Sequence, residues 1–172
     1  GAWAPNIHIT PNEAVAVKTA SERREELLLA VVINHPKAVD DVGEDLGTMR
    51  FSSPELDNAR QEVLKLLSEN PGLERTVLIA HLTRCGHSDT LDRVLDVEAY
   101  GFAKSEAPLE QAVSGWKELF RRRQRQKLLE EIEEAKRASQ ENPSPEARAR
   151  LDVLIKQKLR LDEEESASIA LG

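Results

Sequence analysis

A continuous helix is predicted from about residue 106 to residue 141, with Gly115 as its one expected weak point. One glycine costs such a helix about 1 kcal/mol relative to alanine, which a long helix tolerates. Leu109, Ala112, Val113, Trp116, Leu119 and Phe120 recur at spacings of three and four, the mark of a face packed on a bundle. That stripe stops across 121–127, and a second resumes with Leu128, Leu129, Ile132 and Ala135. At ~100° per residue the second stripe is centred roughly 150° round from the first. A helix with two differently aimed apolar faces has two packing partners, so 121–127 reads as the join between a globular bundle and a projecting arm.

The arm is predicted to return on itself. Asn142-Pro143-Ser144-Pro145-Glu146 reverses the chain, with Ser144 as N-cap and Pro145 in the first turn. The helix that follows carries Ala147, Leu151, Leu154, Ile155, Leu159 and Leu161, and its Glu146/Arg150 and Asp152/Lys156 pairs are spaced for i,i+4 contacts. The two segments make an antiparallel hairpin with arms of roughly 30 Å at 1.5 Å per residue. The acidic stretch from Asp162 onward is expected to fray.

Upstream, the signals are also helical. Ser21 is a plausible N-cap for a helix ending at Asn34, before Pro36. Residues 27–33 are apolar without interruption, and Glu22 to Glu26 lead in with no turn, which favours a central helix buried all round over a strand. Pro36 opens a short helix to about Asp45. Ser53-Pro54-Glu55 begins another, which carries Leu56, Ala59, Val63, Leu66 and Leu67 and stops at Asn70-Pro71-Gly72. Residues 73–85 place Val77, Leu78, His81, Leu82 and Cys85 on one broad face before Gly86, and Ser88 is expected to cap a helix ending near Gly101. Aromatic residues are only 3%, too few for most sheets, so the core must be aliphatic and the fold class all-α. The expected organisation is a linker over 1–20, a globular helical bundle over 21–120, the hairpin over 121–165 and a tail over 166–172. Gly1-Ala2 in place of an initiator Met suggests a chain cut from a longer one.

Composition narrows the function classes. A net charge of −7 argues against a dedicated nucleic-acid binder. The one cysteine, Cys85, suits a reducing compartment, and no apolar run approaches the ~20 residues that span a bilayer. Without the features of a signal peptide, the expected location is cytoplasmic, with no membrane partner. His81, Cys85 and His87 are the sole set resembling metal ligands, but zinc sites use four ligands at tighter, paired spacings. Asp40, Asp41, Glu44 and Asp45 fail as a calcium loop, since the twelfth position counted from Asp41 is Ser52. No phosphate loop or nucleophile arrangement stands out, so neither a cofactor nor catalysis by this chain is expected. Five cations in 121–127 have no interleaved aromatics to stack bases, and Glu130, Glu131, Glu133 and Glu134 follow at once. They read as a solvated joint. The hairpin is the expected functional element, because a two-helix arm buries little core and leaves apolar positions for a partner. The positions chosen as partner contacts are Leu151, Leu154, Ile155, Lys158, Leu159 and Leu161.

Several local patterns, in this order, resemble one family. Glu25-Glu26-Leu27-Leu28-Leu29 leading to Asn34-His35-Pro36, then Phe51-Ser52-Ser53-Pro54-Glu55-Leu56, then Gly115-Trp116 before a charged hairpin, are similar to the C-terminal domain of bacterial DNA primase (DnaG type). The resemblance spans about residues 21–165. It implies a helical subdomain followed by a hairpin that binds the N-terminal region of the hexameric replicative helicase (DnaB type). The polymerising domains that make RNA primers would lie outside this chain. Two alternatives remain open at this point: the N-terminal interaction domain of a replicative helicase, and a metal-dependent helical hydrolase built on His81, Cys85 and His87. The oligomeric expectation is a monomer or a weak or swapped dimer.

Overall fold

The computed structural model describes residues 11–96 and 100–171. Among them are seven α-helices, two 3-10 turns and no strand, an all-α fold. The helices are α1 (Pro11–Asn34), α2 (Val39–Thr48), α3 (Pro54–Glu69), α4 (Arg75–Arg84), α5 (Ser88–Val94), α6 (Leu109–Glu141) and α7 (Pro145–Leu171). The chain forms two compact units that divide between Lys117 and Glu118, within α6. The sequence places the join slightly later, at 121.

The first unit is built around α1. Residues 27–33 are all buried, as a helix enclosed on every side requires, and α3, α4 and α5 pack against it. The start of α1 differs from expectation. Residues 1–10 of the expected linker lie outside the described residues, and α1 begins at Pro11 rather than Ser21. Proline is tolerated at a first helical position, and residues 12–20 contain neither glycine nor a second proline to stop the helix. The two buried acids of α1 have partners: Glu25 accepts from Ser52 N–H at 2.9 Å, and Glu26 pairs with Arg93 at 3.0 Å.

The caps explain most of the remaining boundaries. Ser53 Oγ accepts from Leu56 N–H at 3.4 Å, Pro54 opens α3, and Asn70 closes it. After α4, Gly86 sits at φ +90°, where a side chain would be strained, so Gly86 N–H reaches Thr83 O and His87 N–H reaches Leu82 O. The wrap is so tight that His87, not Ser88, is the N-cap of α5. Helix α5 also ends earlier than expected, at Val94, and residues 97–99 lie outside the described residues. Helix α6 starts at Leu109 rather than near residue 106, because Pro108 disfavours helical geometry at Ala107 and its own carbonyl accepts the first helical bond, from Ala112 N–H at 3.0 Å. Helix α4 buries only Leu78 and Leu82; Val77 and Cys85, expected on that face, are exposed.

A polar knot ties α3 to the chain before it. Asp57 accepts from Phe51 N–H at 2.8 Å and pairs with Arg60 at 2.9 Å, while Arg60 donates to Leu46 O and lies over the Phe51 ring. Burial alone would raise the Asp57 pKa. Hydrogen bonds from Arg60, Phe51 N–H and Gln61, with the Arg60 charge, outweigh it and hold the carboxyl below its usual range. A lowered native pKa gives stability that is present above the unfolded value of about 3.9 and lost as pH falls through the native one. Asp57→Asn should therefore cost about 2 kcal/mol at neutral pH, since the lost bonds involve a charge. The same variant should be less sensitive to acid than the parent between pH 5 and 2 (roughly the span of such a titration), as read by urea midpoints. An unchanged acid limb would remove Asp57 from the account.

Candidate partner-binding hairpin

The second unit runs from Glu118 and contains the rest of α6 and all of α7. Its reversal is locally determined. Ser144 Oγ accepts from Ala147 N–H at 3.0 Å, Ser144 O accepts from Arg148 N–H, and Pro145 opens α7. Helix α7 then continues to Leu171, past the expected fraying point at Asp162. No glycine or proline interrupts it between Glu146 and Leu171, and Arg125 of α6 secures Asp162 at 2.5 Å and also pairs with Glu165. Of the residues assigned to a tail, 166–171 are thus helical.

The two helices close along a narrow apolar seam. Leu128, Ile132 and Ala135 of α6 are buried with Leu154 of α7, and Leu151 and Leu161 pack against that cluster. On α7 the seam positions 151, 154, 158 and 161 alternate by three and four, as a two-helix contact requires. Lys158 occupies one of them and is half-buried, its ammonium 3.7 Å from Asp162. Neither Glu146–Arg150 nor Asp152–Lys156 is bridged among the described residues; Lys158–Asp162 is the i,i+4 pair that forms on α7.

The six positions chosen as partner contacts therefore divide. Leu151, Leu154 and Leu161 hold the hairpin closed, with Lys158 beside them, while Ile155 and Leu159 face outward at 38% and 56% exposure. Val153 and Ile169 are exposed as well, and sequence reasoning missed Leu129, at 41%, which joins Ile155 and Leu159. Each of these three follows a seam position by one residue. In an antiparallel pair of right-handed helices, that step of ~100° turns the side chain to the same side on both helices. Leu129, Ile155 and Leu159 therefore share one face of the hairpin. The spacing held the signal: once 128, 154 and 158 are in the seam, 129, 155 and 159 must flank it together.

Part of the basic run is paired. Arg122 bridges Glu118 at 2.7 Å, and Arg125 is committed to Asp162 and Glu165. The run stays on the surface, as expected from sequence, with acids from α7 as well as from α6 pairing part of it. Elsewhere, Cys85 is exposed, with its Sγ 3.8 Å from Glu62 Oε1, and no group of three or more metal-ligating side chains occurs among the described residues. No described helix is long and apolar enough to cross a membrane. Compared with protein-family models, curated proteins and solved structures, the chain matches none.

Proposed function

We propose that this chain is a protein-docking module, the helicase-binding domain of a bacterial primase of the DnaG type, and that its hairpin grips the N-terminal region of a DnaB-type hexameric helicase. The observation that carries the reading is the outward face of Leu129, Ile155 and Leu159 on a two-helix arm whose own closure does not cover them. Aliphatic side chains in a row on a small unit are anchors for a partner's apolar groove. The order of sequence patterns that resembles the primase domain supplies the partner's identity. On this reading the chain performs no chemistry. It tethers primer synthesis, carried out by other domains of the longer enzyme, to the advancing fork in the cytoplasm.

Isothermal titration of the chain into the helicase N-terminal region tests this. The double variant Ile155→Glu/Leu159→Glu should weaken binding at least roughly thirtyfold, the loss of about 2 kcal/mol typical of an anchor pair. The hairpin should keep its helicity, because both positions lie outside the seam. Wild-type affinity in that variant would move the contact elsewhere, and no binding by the parent chain would remove the assignment.

A further inference from the structure

In the first unit an open groove of about 860 Å³ runs between α2 and the second half of α3, with the turn after α3 completing its lining. Its α2 wall carries Gly43 and Gly47, one helical turn apart. A glycine inside a helix costs about 1 kcal/mol relative to alanine. At Gly43 a Cβ would lie 2.8 Å from Val39 Cγ2, a contact within the chain that accounts for that glycine, but at Gly47 a Cβ would meet nothing within 4 Å. What Gly47 does is leave its stretch of the wall bare, which lets another backbone approach to the short end of the 8–10 Å range of helix packing (roughly the distance small side chains permit).

The rest of the lining says what would approach. Leu64, Leu67 and Leu73 form an apolar floor. Asp40 and Glu44, one turn apart on the glycine-bearing wall, are exposed, and Asp41 adjoins them; Lys37 stands at the end of the groove before α2, and Lys65 on the opposite, α3 side. None of these five charges forms a salt bridge among the described residues. An apolar floor with an acidic edge along its bare wall matches a helix with an apolar ridge and a cationic edge.

We propose that this groove docks an amphipathic helix from a partner protein, with aliphatic side chains on Leu64, Leu67 and Leu73 and basic side chains along Asp40 and Glu44. The inference draws on none of the features that support hairpin docking, so either can fail alone.

A displayed library of helix-constrained peptides, panned on the full chain, supplies the probe. Enriched sequences should combine a ridge of Leu, Ile or Met with Lys or Arg along one edge. The best of them, labelled and followed by fluorescence anisotropy, should bind Gly47→Leu at least tenfold more weakly, because leucine fills the groove while favouring the helix. Asp40→Lys/Glu44→Lys should show a similar loss, and circular dichroism should find both variants folded. The proposal is overturned if panning yields no binder, if the enriched ridges are flanked by acids, or if the best peptide binds Gly47→Leu as tightly as the parent.

Discussion

Replacing Trp116 by alanine should remove about 4–5 kcal/mol from the stability of the first unit. Trp116 is the largest of the fully buried side chains, at 0% exposure, and its indole N–H donates to Leu28 O at 2.9 Å, joining α6 to α1. Burying a tryptophan removes roughly 150–250 Å² from water, and about 25 cal/mol per Å² makes that 4–6 kcal/mol. Measured tryptophan-to-alanine losses in cores run about 3–5 kcal/mol, and the hydrogen bond adds about 1. Small domains have only 5–15 kcal/mol in total (roughly, for a domain of ordinary size), so the variant should be close to unfolding at physiological temperature. Trp116→Phe separates the two contributions. It keeps most of the ring and loses the donor, and should cost about 1–2 kcal/mol. Urea unfolding followed by far-ultraviolet circular dichroism measures both. If Trp116→Ala cost less than about 2 kcal/mol, the contact would not be the anchor that holds α6 on α1.

That anchor was visible in the sequence only as a member of a stripe. Ala112 and Trp116 recur at helical spacing, which shows that they face a partner without showing which one. The elements that were readable in detail are those whose ends are decided locally. Ser53, Pro54 and Asn70 act on backbone groups within a turn of themselves, so α3 has the bounds its sequence suggests. The same holds for the reversal at Ser144-Pro145. The start of α1 carried no such mark: a helix-compatible stretch follows Pro11, and Ser21 is polar enough to imitate a cap without acting as one. On α4, Val77 and Cys85 lie at the edges of an apolar face wider than the surface available to cover it, so only Leu78 and Leu82 are enclosed.

The hairpin shows the same limit at the candidate site. Leu151, Leu154, Ile155, Leu159 and Leu161 read as one apolar band, and a band does not say where its partner helix lies across it. The seam falls on the 151–154–161 side because Leu128, Ile132 and Ala135 meet it there, which turns Ile155 and Leu159 outward. Arg125 meets Asp162 across 37 residues of sequence, a pairing that depends on the register of the two helices rather than on any local pattern.

Gly115→Ala is the prediction in which two opposing effects must be weighed. By helix propensity alone the substitution should stabilise α6 by about 1 kcal/mol. A Cβ at this position, however, would lie 2.4 Å from Cγ and 2.9 Å from Cβ of Phe102. Rotation of the ring about its own axis cannot relieve a clash with Phe102 Cβ, so the backbone that carries Phe102 has to move. That backbone is held at the next two residues, where Asn34 Nδ2 donates to Ala103 O at 2.7 Å and His35 Nε2 lies 2.8 Å from Lys104 O. Asn34 is itself fixed by Arg75 Nε at 2.9 Å, so yielding by Phe102 would disturb a network that reaches α1 and α4. Overpacking of this kind costs about 1–3 kcal/mol. The clash should therefore win, and Gly115→Ala should lose about 1–2 kcal/mol net. Removing the obstacle should restore the sign expected from propensity: in a Phe102→Ala background, Gly115→Ala should stabilise by up to about 1 kcal/mol. A double-mutant cycle from urea unfolding reads the difference. If Gly115→Ala stabilises the parent chain, the glycine is incidental. If it destabilises both backgrounds equally, the cost comes from something other than Phe102.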